Sequence, residues 1–129
     1  MRVIIAGSRN ITDYEMVKDA IEKSEFTITT VVSGCAKGVD KLGERWAEEN
    51  GIPIDHFRAD WDGYGLSAGA IRNCEMAENA DALIAVWDNE SKGTGHMIKQ
   101  AQKKGLRVFV YKLFDDTEIG FLQNFLRGK

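Results

Sequence analysis

Cysteine is scarce in this chain. Cys35 and Cys74 are its only two, they stand far apart, and they form no CxxC pair, which points to two free thiols in a reduced, cytoplasmic setting. Histidine is equally scarce. With two His and two Cys, all scattered, no metal-ligand cluster and no metal or cofactor is expected. No apolar run approaches the length that spans a bilayer, and the N-terminus goes straight into a strand-like segment instead of a signal peptide, so no membrane partner is expected. Low-complexity segments, repeats and linkers are lacking, so residues 1–129 read as a single domain, long enough for one proper core and short for two. A surplus of positive charge is lacking too. The net charge of −3 argues against non-specific adhesion to nucleic acid or anionic membrane. Proline occurs once, as Pro53, against 13 glycines, a balance that suits many tight turns around regular elements.

What is there is an alternation of strands and helices. Arg2–Gly7 reads as a first buried strand, Thr27–Val32 as a second rich in β-branched residues, and Pro53–Arg58 as a third, less apolar edge strand. Ala82–Trp87 is apolar on both faces and suits the buried middle of a parallel sheet; Arg107–Tyr111 supplies a fifth strand. Thr12 and Glu15 have the spacing of a capping box, so the first helix opens near Asp13 and buries Met16, Val17, Ala20 and Ile21. The second carries Val39, Leu42, Trp46 and Ala47 inward and stops at Gly51. Ala59–Leu66 reads as a loop, and Ser67 as the cap of a third helix. A fourth helix carries Met97, Ile98 and Ala101 and closes at Gly105. Asp115 or Asp116 caps a last one holding Ile119, Phe121, Leu122, Phe125 and Leu126. Those five are more apolar residues than one face needs, so a homo-oligomer is expected, most simply a two-fold dimer. Strict alternation implies an α/β three-layer sandwich: a five-stranded parallel sheet of order 3-2-1-4-5, covered on both faces through right-handed crossovers.

In that order the sheet reverses direction between strands one and four, and a crevice opens beyond the carboxyl ends of the strands. Three glycine-containing turns converge there: Gly7-Ser8-Arg9, Ser33–Gly38 and Asp88–Gly95. Unpartnered N–H groups at a helix start and the helix dipole both favour an anion. Gly93 and Gly95 carry no Cβ, so a phosphate can approach the backbone; taken alone, the turn reads slightly better as an ordinary strand-to-helix connection with Thr94 as N-cap, because short glycine motifs match by chance. Convergence of all three turns favours the phosphate reading. Arg9 can grip phosphate bidentately or be a plain surface arginine. Ser33, Gly34 and Gly38 present a hydroxyl and backbone N–H groups, while Lys37 reads as solvent-facing. Asp40, in the first turn of the second helix, either complements the dipole or accepts a ribose hydroxyl. Arg72 and Asn73 lie early in the third helix. Trp61 can stack on a base or simply pack; Trp46 and Trp87 belong to the core. His56 reads as structural, and His96 carries no catalytic role by itself.

Taken together and in order, Ala6-Gly7-Ser8-Arg9, Ser33-Gly34-Cys35-Ala36-Lys37-Gly38-Val39-Asp40, Ala59-Asp60-Trp61, Ala68-Gly69-Ala70-Ile71-Arg72-Asn73 and Ser91-Lys92-Gly93-Thr94-Gly95-His96-Met97 resemble the YspA-like branch of the SMF/DprA–LOG (SLOG) superfamily, over Met1 to about Lys112. The resemblance implies a Rossmann-like fold that binds nucleotides or nucleotide-derived ligands. Relatives include single-strand DNA-binding proteins, hydrolases that release cytokinin bases from nucleoside monophosphates, and sensor domains for NAD-derived signals. Two departures stand out. Lys92 replaces a glycine of the hydrolases' Pro-Gly-Gly-x-Gly-Thr turn, and Met97 stands where their catalytic Glu is; Arg72 can match their arginine, but an arginine alone does no acid–base work. Ala70 stands where the branch has proline.

The expected function is therefore a small nucleotide- or NAD/ADP-ribose-like-ligand-binding protein that senses, sequesters or delivers a nucleotide signal, leaning away from an enzyme. Its ligand contacts are expected at Gly7, Ser8, Arg9, Ser33, Gly34, Lys37, Gly38, Asp40, Trp61, Arg72, Asn73, Asp88, Lys92, Gly93, Thr94 and Gly95. The alternatives are a hydrolase of an N-glycosidic or phosphate bond, for which Asp60, Asp88 or Glu90 would supply the carboxylate, and a single-strand nucleic-acid binder, disfavoured by the acidic balance.

Overall fold

The computed structural model describes residues 1–113. The last helix expected from the sequence, and with it the apolar surface on which the expected dimer rests, lies outside the described residues.

Five parallel strands form one sheet in the order β3-β2-β1-β4-β5, with β1 at Arg2–Gly7, β2 at Thr30–Ser33, β3 at Ile54–His56, β4 at Ala82–Trp87 and β5 at Arg107–Lys112. The β-period is visible in β1. Val3 and Ile5 enter one core with Val17, Val31, Val39 and Ile84, while Ile4 and Ala6 enter the other with Val32, Met76, Leu83 and Met97. Helices α1 (Tyr14–Ser24) and α2 (Val39–Glu49) supply side chains to the first core. Helices α4 (Ala68–Glu78) and α5 (Lys92–Lys103) supply the second. Each face of the sheet is thus covered, the three-layer arrangement that the run of apolar residues in β4 demands. No helix among the described residues is long and apolar enough to cross a membrane.

Local chemistry shifts several boundaries. α1 is capped by Asp13, whose carboxylate accepts from the Met16 N–H at 3.4 Å, and not by Thr12. β2 begins at Thr30, because Thr27 and Thr29 are engaged by the N-terminus: the Met1 ammonium donates to the Thr27 carbonyl and to Thr29 Oγ1. The expected loop at Ala59–Leu66 contains a one-turn helix, α3 (Trp61–Tyr64). Its cap is Asp60, accepting from the Gly63 N–H at 2.9 Å, and one 3₁₀ turn (Gly65–Ser67) follows. Ser67 precedes α4 in helical conformation and makes no capping bond. α5 is capped by Ser91, not Thr94: the Ser91 hydroxyl accepts from the Thr94 N–H, so Thr94 is already the third residue of the helix.

Candidate functional site

The crevice beyond the carboxyl ends of β1 and β4 is shaped by close backbone approach. A Cβ on Gly7 would lie 2.1 Å from the Val86 carbonyl and 2.6 Å from Val39 Cγ2, so only glycine lets β1, β4 and α2 meet there. Gly38 takes φ +76°, and a Cβ on it would lie 2.5 Å from the Ser8 and Arg9 carbonyls. Ser8 then stitches the turns together. Its N–H donates to the Val86 carbonyl and its hydroxyl accepts from the Asp88 N–H at 3.1 Å. Asp88 in turn accepts from the N–H groups of Glu90 and Ser91, both at 2.8 Å, and these bonds hold its carboxyl below the usual carboxylate range. The hydroxyls of Ser8 and Ser33 and the carboxylate of Asp88 are therefore spent on the loops that build the crevice. Ser33 is buried, donating to Glu44 Oε2 at 2.6 Å and accepting from the Cys35 N–H.

Two adjoining hollows result. The smaller, about 60 Å³, is lined by Gly7, Arg9, Asp40, Arg72, Asn73, Gly93, Thr94 and Met97, among others. The larger, about 270 Å³, is lined by Arg9, Gly34, Cys35, Ala36, Lys41, Arg58, Ala59, Trp61 and Arg72. Arg9, Ala36 and Arg72 belong to both walls. Arg72 is set by two bonds: its Nη1 donates to the Gly34 carbonyl at 2.5 Å and its Nε to Asn73 Oδ1 at 3.1 Å. Asn73 is buried and ties α4 to the start of α5, its amide donating to the Gly93 carbonyl and lying 3.1 Å from His96 Nδ1. Arg9 is exposed at the mouth, and Trp61 is half exposed beside it. The larger wall thus carries three arginines and a lysine and no carboxylate.

Asp40 is the one carboxylate lining either hollow among the described residues. Burial pushes its pKa up to about 6 from the ordinary 3.8, against the Ala36 N–H bond and the nearby Arg72 guanidinium, which hold it down. The folded protein thus binds this proton more tightly than the unfolded chain, so stability is fully present below about pH 4 and is lost as pH rises towards and through about 6. Tenfold in proton affinity being ~1.4 kcal/mol, the loss amounts to about 3 kcal/mol. Urea unfolding at a series of pH values checks this. Relative to Asp40→Asn, the wild-type chain is expected to lose about that much stability between pH 4 and pH 8.

The turns expected to converge do so, with exceptions. Gly7, Arg9, Gly34, Asp40, Trp61, Arg72, Asn73, Gly93 and Thr94 line one or both hollows. Lys92 and Gly95 line neither; they lie along a third hollow, of about 540 Å³, with Trp87, His96 and Lys99. Gly95 is the helical residue that lets the Trp87 indole approach, a Cβ there standing 3.3 Å from Trp87 Cζ2. Lys37 is exposed and lines none of these three hollows. Two features escape the sequence reading. Arg58, just past β3, enters the larger wall although the same carboxyl-end rule that selects Arg9 selects it too. Cys35 and His56, scattered in the sequence, come together with Glu44, which the charge pattern places on a solvated helix face but which is buried: their candidate donor atoms all lie within 4.8 Å. They meet because β2 and β3 are neighbours, with Ser33 paired to His56, and α2, which carries Glu44, packs against β2; separations of nine and twelve residues show no motif.

The parallel sheet with its switch-point crevice defines a Rossmann-like α/β protein. Residues 1–64 match the family described as YspA, cpYpsA-related SLOG family (YAcAr). Gene 61 protein of Mycobacterium phage D29 is 36% identical over 117 residues, covering 83% of this chain and 93% of that protein. The solved structure of DNA processing protein A (DprA) from Streptococcus pneumoniae superposes with a TM-score of 0.69 at 19% identity, covering 95% of this chain. The chain spans 56% of the length of that DprA chain. The chain belongs to the YspA, cpYpsA-related SLOG family. Membership suggests nucleotide-related binding or processing.

Proposed function

We propose that the paired hollows bind a phosphorylated nucleotide or a nucleotide-derived ligand such as ADP-ribose, and that the protein senses, sequesters or delivers it. The supporting observation is the larger wall: Arg9, Lys41, Arg58 and Arg72 gather around one hollow without a carboxylate, in a chain whose net charge is −3. Glu44 offsets Lys41 at 3.5 Å, but among the described residues none of the three arginines has a carboxylate within ion-pair distance, so an anion entering the hollow meets unneutralised positive charge. The phosphates lie under the arginines, a ribose hydroxyl donates to Asp40 in the smaller hollow, and the exposed Trp61 indole flanks the base. An acidic chain favours one nucleotide over a nucleic-acid strand. A thermal-shift screen with nucleoside mono- and diphosphates, cyclic nucleotides, NAD and ADP-ribose tests the proposal. At least one compound is expected to raise the melting temperature, and silence across the panel rejects it.

Asp40 favours a second reading, an N-glycosidic hydrolase, because a buried carboxyl with a pKa near 6 suits general acid–base work. The carboxylates first considered for that role are placed elsewhere: Asp60 caps α3, Asp88 holds the turn, and Glu90 is exposed beside the third hollow. Met97 is buried in the wall of the smaller hollow and has no ionisable atom. We expect binding without turnover. Chromatography of wild-type chain incubated with nucleoside monophosphates should show no free base; steady release in proportion to protein, abolished by Asp40→Asn, would establish the hydrolase instead.

A further inference from the structure

Cys35, Glu44 and His56 sit together at the edge of the larger hollow, outside the nucleotide contacts proposed above. Glu44 is buried, with Oε2 accepting from the Ser33 hydroxyl at 2.6 Å and Oε1 standing 3.7 Å from His56 Nε2. Lys41 Nζ lies 3.5 Å from the same Oε1, on a side chain that is more than half exposed. Cys35 takes φ 64°, a left-handed conformation that a residue with a Cβ rarely adopts. That turn, fixed by the Cys35 N–H donating to Ser33 Oγ, keeps the thiol within 4.8 Å of the other two donors.

We propose that these three side chains form a zinc site whose fourth coordination position is taken by water or by a donor atom of a ligand in the adjoining hollow. One sulfur, one imidazole nitrogen and one carboxylate oxygen are a donor set that zinc accepts, and three protein ligands with an open position are the pattern of a reactive rather than a purely structural site. Donors at about 2.0–2.3 Å from a tetrahedral ion stand roughly 3.3–3.8 Å apart. The His56–Glu44 pair already has that spacing, and rotation of the partly exposed His56 and Cys35 side chains closes the rest. Glu44 Oε1 coordinates while Oε2 keeps the Ser33 hydroxyl, the outer contact that orients a ligating carboxylate. Lys41 turns from Oε1 toward the larger hollow, whose wall it already lines. The Cys35 thiol releases its proton to water on binding, so thiolate and carboxylate together balance the charge of the ion beside Lys41 and Arg58.

Cobalt(II) titration of the full chain tests this. The expected result is one equivalent bound, with a thiolate-to-cobalt charge-transfer band that zinc abolishes. Cys35→Ser should remove the band and Cys74→Ser should keep it. His56→Ala should weaken binding by more than the ~10–100-fold typical of losing an outer-shell partner. A second reading needs only the wild-type chain: equimolar zinc should protect Cys35, and not Cys74, from alkylation. No thiolate band, a band that survives Cys35→Ser, affinity unchanged by His56→Ala, or equal alkylation of Cys35 with and without zinc would each overturn the proposal.

Discussion

Replacing Gly7 by alanine is expected to produce the largest loss of stability of any single methyl group added at the crevice. The added carbon would sit 2.1 Å from the Val86 carbonyl oxygen, inside any real contact distance, and 2.8 Å or less from two atoms of Val39. The Val39 side chain can turn aside in part. The carbonyl cannot, because it belongs to the interior strand β4, where Val86 is paired with Gly7 and accepts from the Ser8 N–H at 3.1 Å. Relief requires β1 and β4 to part, which disrupts the switch point itself. Overpacking of well-filled cores costs about 1–3 kcal/mol and sometimes more, and a backbone obstacle places this case at about 3 kcal/mol or above. For a domain of this size that lowers the melting temperature by roughly 10 °C or more. Gly93→Ala is the control: nothing lies within 4 Å of its added carbon, and its stability should stay within about 0.5 kcal/mol of wild type. Melting curves of the two variants followed by circular dichroism decide the matter. Equal curves would show that the close approach at Gly7 is not what closes the sheet.

Arg72→Ala is expected to have the largest effect on ligand affinity. Its guanidinium lines both hollows, and its orientation is set by the Gly34 carbonyl and Asn73. A charge-assisted bond to a phosphate is worth about 1.5–3 kcal/mol, so its loss weakens binding roughly 10- to 150-fold. Arg72→Lys restores charge without the planar fork and should recover only part of the affinity. Because Arg72 also ties α4 to the turn after β2, the alanine variant should lose stability as well. Arg9→Ala separates the two effects. Arg9 is exposed, and its replacement should weaken binding while leaving the melting temperature of the unliganded chain unchanged. Isothermal titration with the panel compound that gives the largest thermal shift measures both variants. Lys92→Ala, at the third hollow, should bind as wild type does.

How far the crevice is legible from the residues depends on the range of the physics involved. The strands of Ile4 and Leu83 announce themselves because burial on both faces requires continuous apolar runs, and the alternation with helices then leaves few topologies. Arg9 and Gly7 are found by the rule that ligands gather at strand carboxyl ends, and Arg58 obeys it equally. Hydroxyls are harder. Ser8, Ser33 and Thr94 look like donors to a phosphate, but Ser8 accepts from Asp88, Ser33 donates to Glu44, and Thr94 stands 3.0 Å from the Ser91 hydroxyl. A loop that holds a ligand must first satisfy its own backbone, and which hydroxyls that consumes depends on dihedral angles. Lys92 illustrates direction: as first residue of α5 its position in sequence is right, yet it lines the third hollow, away from the arginines. The meeting of Cys35, Glu44 and His56 is purely tertiary, created by the pairing of β2 with β3 under α2.

The most direct test of the central claim is the crystal structure of the full chain soaked with that same compound. Density for its phosphates is expected against Arg9, Arg58 and Arg72, with the ribose reaching Asp40 and the base beside Trp61. Density in the hollow lined by Lys92, His96 and Lys99, or on the α1 and α2 face of the sheet, would contradict it.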